Sequence, residues 1–316
     1  MSADRSAYHR GERAVQKQAG LADQAAFSAG AIGRTIPDVA AAFLSTQPML
    51  VVGAVDVHGM MWCSLLTGPP GFMQVTDEQT VDIAALPHEG DPLADVLASG
   101  PVKVGTVAIE PATRRRMRLN GTSQPIDGSL RITTDQVYAN CPKYIQKRDL
   151  VLPYGRSRQP PAQRRSTELT LRQQYLLDRA DTFFIATSSD TGDADANHRG
   201  GDPGFLRTTG PNCLRWPDYT GNAMFMTLGN IELNPAAGLL VPDWDTGNLL
   251  QLTGTASVTW TADERGGTPG TGRSIEFEIT AVTETFGTGP TALNAPQYSR
   301  FNPWVAPPAK TMEAVR

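Results

Sequence analysis

Gly68-Pro69-Pro70-Gly71-Phe72 and Gly201-Asp202-Pro203-Gly204-Phe205 spell nearly the same turn twice in one chain. Further along, Arg118-Leu119-Asn120-Gly121-Thr122-Ser123 is echoed by Gln251-Leu252-Thr253-Gly254-Thr255-Ala256. Gly68 to Gly201 and Gly121 to Gly254 are both steps of 133 residues, and Thr76/Thr209, Gly105/Gly238 and Thr113/Thr246 fall on the same step. Two motifs in one register imply duplication. A period this long means tandem domains, because solenoid repeats run about 20–50 residues.

The composition agrees with that division. A chain of 316 residues, 40% hydrophobic, has material for two cores. Thirty glycines and 24 prolines suit strands and turns better than long helices. The net charge of −4 offers no broad basic face for nucleic acid, although Arg114-Arg115-Arg116 with Arg118 needs a local explanation. No apolar run reaches about 18 residues, so no membrane span is expected. The first twenty residues lack an apolar core, so no secretory signal is expected. Three scattered cysteines argue against a disulfide framework or zinc site and fit a reducing cytoplasm.

Hydrophobic patterning gives the organisation. Residues 7–19 read as a short charged helix, and Pro37-Asp38 opens another. Met49–Val55 is a buried strand ended by Asp56 and His58-Gly59, with residues 60–66 as its hairpin partner. Further strands are expected near 80–86, 102–109, 115–122 and 129–138, with a short helix near 91–99. Residues 149–167 are rich in proline and arginine and read as a linker. Thr167 to Ala180 form a helix, strands resume at 181–189, and the chain from Gly287 is an extended tail. The fold class is mainly β with short helices (α+β): two tandem six-stranded split β-barrels paired as an intrachain pseudo-dimer. Residues 1–150 and 167–316 carry the barrels, joined by 151–166.

Several groups carry chemistry. Arg199 stands between His198 and Gly200-Gly201, where a guanidinium and close backbone approach suit a phosphate, or where a hairpin merely exposes an arginine. Asp218, Tyr219, Gly221 and Asn222 form a turn; Asn222, Thr227 and Asn230 are short hydrogen-bonding side chains fit for phosphate or a polyol. Arg115, Arg116 and Arg118 lie on one strand, Arg116 and Arg118 on a common face. They need an anion, or else they line a solvated edge. Asn140-Cys141-Pro142-Lys143-Tyr144 opens a turn that presents N–H groups and Lys143 toward an anion. Cys141, without a histidine nearby in sequence, reads as a buried structural thiol. His198 reads equally as an acid–base group or as part of a turn. The four histidines show no metal spacing, and neither a dinucleotide fingerprint, a P-loop nor a nucleophile elbow is present. Ser64 and Leu66 occupy the repeat positions of Asn197 and Arg199, so the first half is expected to have lost its own phosphate cradle.

Asn197-His198-Arg199-Gly200-Gly201, Trp216 to Asn222, Thr227 to Trp244 and Leu249 to Ala256, in that order, resemble the flavin-binding split barrels of the pyridoxamine 5′-phosphate oxidase superfamily. The first half resembles the same fold, and the match runs over about residues 7–290. The resemblance implies flavin mononucleotide (FMN) between two barrels, with FAD or haem as alternatives. It implies Arg199 on the phosphate, Arg115, Arg116 and Arg118 on a strand reaching from the opposite barrel, and Lys143 or Tyr144 near the flavin. Thr227 departs from it, standing where the common oxidase pattern has lysine. The implied activity is FMN-dependent oxidoreduction of a small molecule, fed by a nicotinamide donor or a separate reductase. The implied alternative is a flavin or haem carrier or sensor, acting as a monomeric pseudo-dimer or a homodimer. The catalytic residues stay open.

Overall fold

The computed structural model describes residues 7–139, 141–153, 160–260 and 272–306. The first half begins with helices α1 (Arg10–Gln18), α2 (Ala22–Ala29) and α3 (Asp38–Thr46). Strands β1 (Met49–Val55), β2 (Met61–Thr67), β3 (Met73–Asp77) and β4 (Thr80–Ile83) follow, then α4 (Ala94–Ser99), β5 (Val102–Glu110), β6 (Arg115–Ile126) and β7 (Ser129–Ala139). Strands β8 (Leu150–Val151) and β9 (Gln163–Ser166) precede α5 (Leu171–Arg179). The second half continues with β10 (Thr182–Ser188), β11 (Ala194–Gly200), β12 (Arg207–Gly210), β13 (Cys213–Pro217), α6 (Met226–Leu233), β14 (Ala236–Pro242), β15 (Leu249–Trp260), β16 (Arg273–Thr285) and β17 (Thr291–Ala292).

The two large sheets repeat one another strand for strand. The first runs β2-β1-β5-β6-β7-β4-β3 and the second β11-β10-β14-β15-β16-β13-β12, all antiparallel. Counting the short edge strands β3 and β12, each path has seven strands within the described residues. In the first half both ends of the path feed one core, where Leu50, Trp62, Met73, Ile83, Val104 and Leu130 share a cluster. Phe183, Leu214, Trp216, Leu239, Leu250 and Phe277 do so in the second. A sheet whose edges bury into the same core is rolled up, and the chain is two tandem split barrels.

The duplicated sequence marks are physical. Gly71 and Gly204 both sit at φ 94°, a conformation favouring glycine, and a Cβ at Gly68 or Gly201 would press on Phe72 or Phe205. Both long hairpins shift register at the same repeat position, between Asn120 and Gly121 and between Thr253 and Gly254. Some expectations were incomplete. The linker carries β8, which pairs with β17, and β9, which pairs with β16, so its two ends are strapped to the second half. The tail beyond Gly287 likewise pairs back through β17 and the Lys147–Gln297 bridge. Helices α2 and α6 were not anticipated. Among the described residues no helix is long and apolar enough to cross a membrane.

The barrels meet back to back. In β1, Leu50, Val52 and Ala54 enter the first core while Met49 and Val51 point the other way, into a third cluster with Phe184, Ala186, Ala196 and Leu240. Burial on both faces explains the uninterrupted apolar run of this strand. A Cβ on Gly53 would overlap the Cβ of Ala186, its own repeat mate, which puts this contact on a pseudo-two-fold axis. On either side, Gly105 lies against the backbone of Asp195 and Ala196, and Gly238 against that of Met61 and Trp62. Backbone cannot yield as a side chain does. Gly105→Ala and Gly238→Ala are therefore each expected to lower unfolding free energy by about 1–3 kcal/mol or more. Gly210→Ala, with open space around it, should stay within about 0.5 kcal/mol. Denaturant melts compare the three.

Candidate functional site

A cleft opens at the seam, holding about 860 Å³ with its solvent-open mouth included. The first half contributes Arg116, Arg118, Cys141, Lys143 and Tyr144; the second contributes β11, the turn after β13 and the start of α6. Its wall combines the cations Arg116, Arg118, Lys143 and Arg199 with the apolar surface of Tyr144, Phe205, Tyr219, Met224 and Phe225. The Tyr144 and Tyr219 rings lie 5.0 Å apart, and Tyr144 Oη donates to the Thr220 carbonyl at 2.8 Å, tying the first half to the second. Gly200 leaves room for the Tyr144 carbonyl. Tyr144, Ala223 and Phe225, three of the five non-glycine residues with positive φ among those described, line this cleft. Strained backbone of this kind clusters at ligand clamps and active sites.

The basic strand resolves residue by residue. Arg114 donates to the carbonyls of Ile145 and Gln297, both at 2.9 Å. Arg115 points away from the cleft, pairing with Glu110 at 2.8 Å over the Phe43 ring. Arg118 is buried and ion-paired with Asp195 across the seam; Asn120 and Tyr138 donate to the same carboxylate at 3.0 and 3.1 Å. That leaves Arg116. Its Nη1 donates to His198 Nδ1 at 3.1 Å, and since a guanidinium cannot accept, the histidine proton sits on Nε2. Burial, then the charges of Arg116, Arg199 and Arg148, hold His198 well below the usual histidine range, so it is neutral.

Arg199 shares the cleft, and its closest carboxylate oxygen is that of Asp218 at 3.9 Å, while Asp218 accepts from Arg273 Nε at 3.0 Å. Burial disfavours the charged forms of both Arg116 and Arg199, and for Arg116 the like charges of Arg118 and Arg199 add to the cost. Guanidinium keeps its proton regardless, so the cost becomes affinity for an anion. Arg118, Arg148 and Arg273 have carboxylate partners in Asp195, Asp181 and Asp218. Arg116 and Arg199 have none within hydrogen-bonding distance, and the Nε of each is buried without a partner among the described residues. The first turn of α6, entered through left-handed Phe225 with no side-chain cap, adds N–H groups and a positive dipole end.

Of the residues singled out from sequence, Arg116, Arg118, Lys143, Tyr144, His198, Arg199, Gly200, Asp218, Tyr219, Gly221 and Asn222 all line this cleft. Gly201 lies behind it, donating to the Asp181 carbonyl. Thr227 accepts from Asn197 at 3.2 Å, and Asn230 bonds Thr187 and His9 at 3.0 and 2.8 Å, so both anchor α6 to the barrel and to α1. Asn140 lies outside the described residues. Cys141 is exposed at the cleft, not buried as expected, because it follows the end of β7 rather than facing a core. Sequence reading missed Phe205, Pro217, Leu228 and the run Ala223 to Met226, an apolar stretch indistinguishable from core.

No family model and no curated protein matches the chain. Solved structures similar to it include a protein of Lactobacillus delbrueckii assigned as a pyridoxamine 5′-phosphate oxidase, at 17% identity and TM-score 0.31, over 37% of this chain and 94% of that one. The FAD-binding protein of Mycobacterium smegmatis matches at 14% identity and TM-score 0.27, over 38% and 98%. HutZ, the haem storage protein of Vibrio cholerae, matches at 10% and TM-score 0.25, over 42% and 96%. Each match covers about two fifths of this chain.

Beneath the cleft, α1 packs on α6, where a Cβ on Gly229 would overlap Glu12. Glu12 accepts from the His9 amide at 2.7 Å. Burial, with repulsion from Asp195, pushes its carboxyl from 4.5 up to about 8. Between those values the folded protein binds more protons than the unfolded chain, so this group costs stability as pH rises. Glu12→Gln keeps the acceptor and removes the titration. Its stability relative to the unmutated chain should grow from pH 5 to 8 by up to about 1.4 kcal/mol per unit, read from urea melts across that range.

Proposed function

We propose that the chain is an FMN-dependent oxidoreductase of the pyridoxamine 5′-phosphate oxidase-like superfamily, holding one flavin at the seam of its barrels. The observation that carries this reading is the pair Arg116 and Arg199, two half-buried guanidiniums from different halves with buried Nε atoms, each lacking a carboxylate hydrogen-bond partner among the described residues, beside the open first turn of α6. A phosphate monoester, carrying about −1.5 to −2 at neutral pH, matches two such charges. The apolar lining, with Tyr144, Tyr219, Met224 and Phe225, suits a flat ring system.

In this reading Arg199 and the first-turn amides of α6 hold the phosphate, and Arg116 stands where it stabilises negative charge. A bound flavin would accept a hydride from a reduced donor and pass electrons on. The chain orients that group, shields it from water with the Tyr144–Tyr219 pair, and keeps His198 Nδ1 as an acceptor for Arg116. The proposal includes two units at 1–150 and 167–316, a small-molecule substrate, a nicotinamide donor or separate reductase, a cytoplasmic site of action, and a monomeric pseudo-dimer or homodimer with no nucleic-acid or membrane partner.

Purified protein should be yellow and release FMN on denaturation. A Soret band would point to haem instead, and colour that no nicotinamide donor bleaches under anaerobic conditions would point to a carrier. Arg199→Ala should weaken FMN binding by about 10-fold or more, the loss of one charged hydrogen-bonding group, with little change in melting of the FMN-free protein. Fluorescence titration measures the shift; an unchanged Kd counts against the assignment.

A further inference from the structure

Three carbonyls of the loop that lines the cleft between β13 and α6 are held by side chains from the first half. Thr220 accepts from Tyr144 Oη at 2.8 Å, Asn222 from Ser28 Oγ at 2.7 Å and Met224 from Gln16 Nε2 at 3.1 Å. Gln16 lies on α1 and Ser28 on α2. Flanking Met224 stand Ala223 at φ 61° and Phe225 at φ 57°, left-handed conformations uncommon for any residue but glycine. Such residues persist only where their surroundings over-determine them. The surroundings here are the N-terminal segments: Tyr8, Ala25, Ala223, Met224 and Met226 share one small apolar cluster with Tyr138 of β7. Tyr8 Oη donates to the Ala25 carbonyl at 2.9 Å, tying α2 to the chain before α1. A Cβ on Gly11 of α1 would overlap the Gly229 carbonyl of α6.

The α1–α2 pair lies outside the duplicated unit. Asp38–Thr46 shifted by 133 residues is Leu171–Arg179, so α3 and α5 are repeat mates. The same shift carries residues 10–29 to 143–162, where the described residues hold no helix. The two loops differ to match. The repeat mate of Met224 is Asp91, whose carboxylate takes the Leu93 amide at 2.8 Å and fastens the turn before α4 from within. Helix α6 has no side-chain cap, and its entry is held from outside through carbonyls. Holding a loop by its acceptors leaves the first-turn donors of the helix to a ligand. We propose that α1 and α2 clamp the cleft loop in its ligand-ready shape, with Gln16 and Ser28 as positioning residues for the anion the cleft takes. This rests on the reading of the cleft as a flavin site, but the clamp itself is measurable without flavin.

Hydrogen exchange of the full chain, free of FMN and read by mass spectrometry, reports on the loop directly. Ser28→Ala removes a half-buried donor, and Gln16→Met keeps the side-chain length and removes the amide. Each should speed exchange over residues 222–228 by about five-fold or more, the loss of one neutral hydrogen bond, with β10 and β16 unchanged. The Kd for FMN should rise by a similar factor. Ser28→Thr, which keeps the hydroxyl, should restore both values, a rescue that plain helix support would not produce. Unchanged loop exchange in both variants, or faster exchange spread through both barrels, overturns the clamp. So does an unchanged Kd when the unmutated chain binds FMN. If the unmutated chain takes no FMN, the flavin reading falls alone and the exchange result decides the clamp.

Discussion

Everything distinctive in this molecule follows from how closely the two barrels approach. Gly53 meets its own repeat mate Ala186, and Gly105 and Gly238 sit against backbone of the opposite barrel. At that spacing the seam admits only small residues at its centre, with Met49, Val51, Val107, Phe184 and Leu240 closing around them. Each fully buried apolar side chain of this kind is worth about 1.5–3 kcal/mol, so the seam behaves as a third core. The Arg118–Asp195 pair crossing it is a poor source of net stability, since burying two charges offsets most of their attraction. It makes the seam directional: the repeat mate of Arg118 is Gln251, so the bridge forms on one side only.

That asymmetry runs through the whole interface. Where the second barrel has His198 and Arg199, the first has Leu65 and Leu66; where the first has Arg116, the second has Leu249. The side that lost its cations is filled. Asp91 accepts from Ser64 Oγ at 2.6 Å, from Gln251 Nε2 at 3.2 Å and from the Leu93 amide just before α4 at 2.8 Å. Burial raises the Asp91 carboxyl above its ordinary range, and Arg165 of β9 closes over Gly90 at 2.8 Å. A phosphate there would meet a carboxyl group in place of a guanidinium. A true homodimer would have to carry two equal clefts; duplication within one chain let the two diverge.

Much of this was legible before any coordinates. The 133-residue step survives because its glycines answer to backbone geometry, at Gly71 and Gly204 to a left-handed turn and at Gly121 and Gly254 to a bulge. Alternation placed Arg116 and Arg118 on one face of β6. What alternation could not show is which cation has a partner, because Asp195 lies 77 residues away on another barrel. Helix α6 escaped notice for a related reason. Its residues Met226 to Ile231 are buried all round, so no polar face gave it a helical period, and Thr227 and Asn230, read from sequence as ligand groups, hydrogen-bond to Asn197 and Thr187 of the barrel. The short strand β9 has no apolar signature because it pairs by backbone along β16.

The electrostatics of the site then reduce to one question: where the positive charge can go. A protonated His198 between Arg116, Arg199 and Arg148 would stand among three like charges with little water to screen them, so the imidazole stays neutral. Neutrality has a structural use. Nδ1 can then accept from Arg116 and draw that guanidinium into the cleft wall, a contact that an imidazolium, with donors on both nitrogens, would abolish. Holding Arg116 in place thus depends on keeping His198 unprotonated, and the arginines that make the cleft attractive to an anion are the same ones that keep it so. An anion drawn into the cleft satisfies Arg116 and Arg199 directly, but it also weakens the field that keeps His198 neutral. Ligand charge and histidine protonation are therefore linked by geometry: the more negative the ligand, the closer His198 moves to accepting a proton and giving up its hold on Arg116.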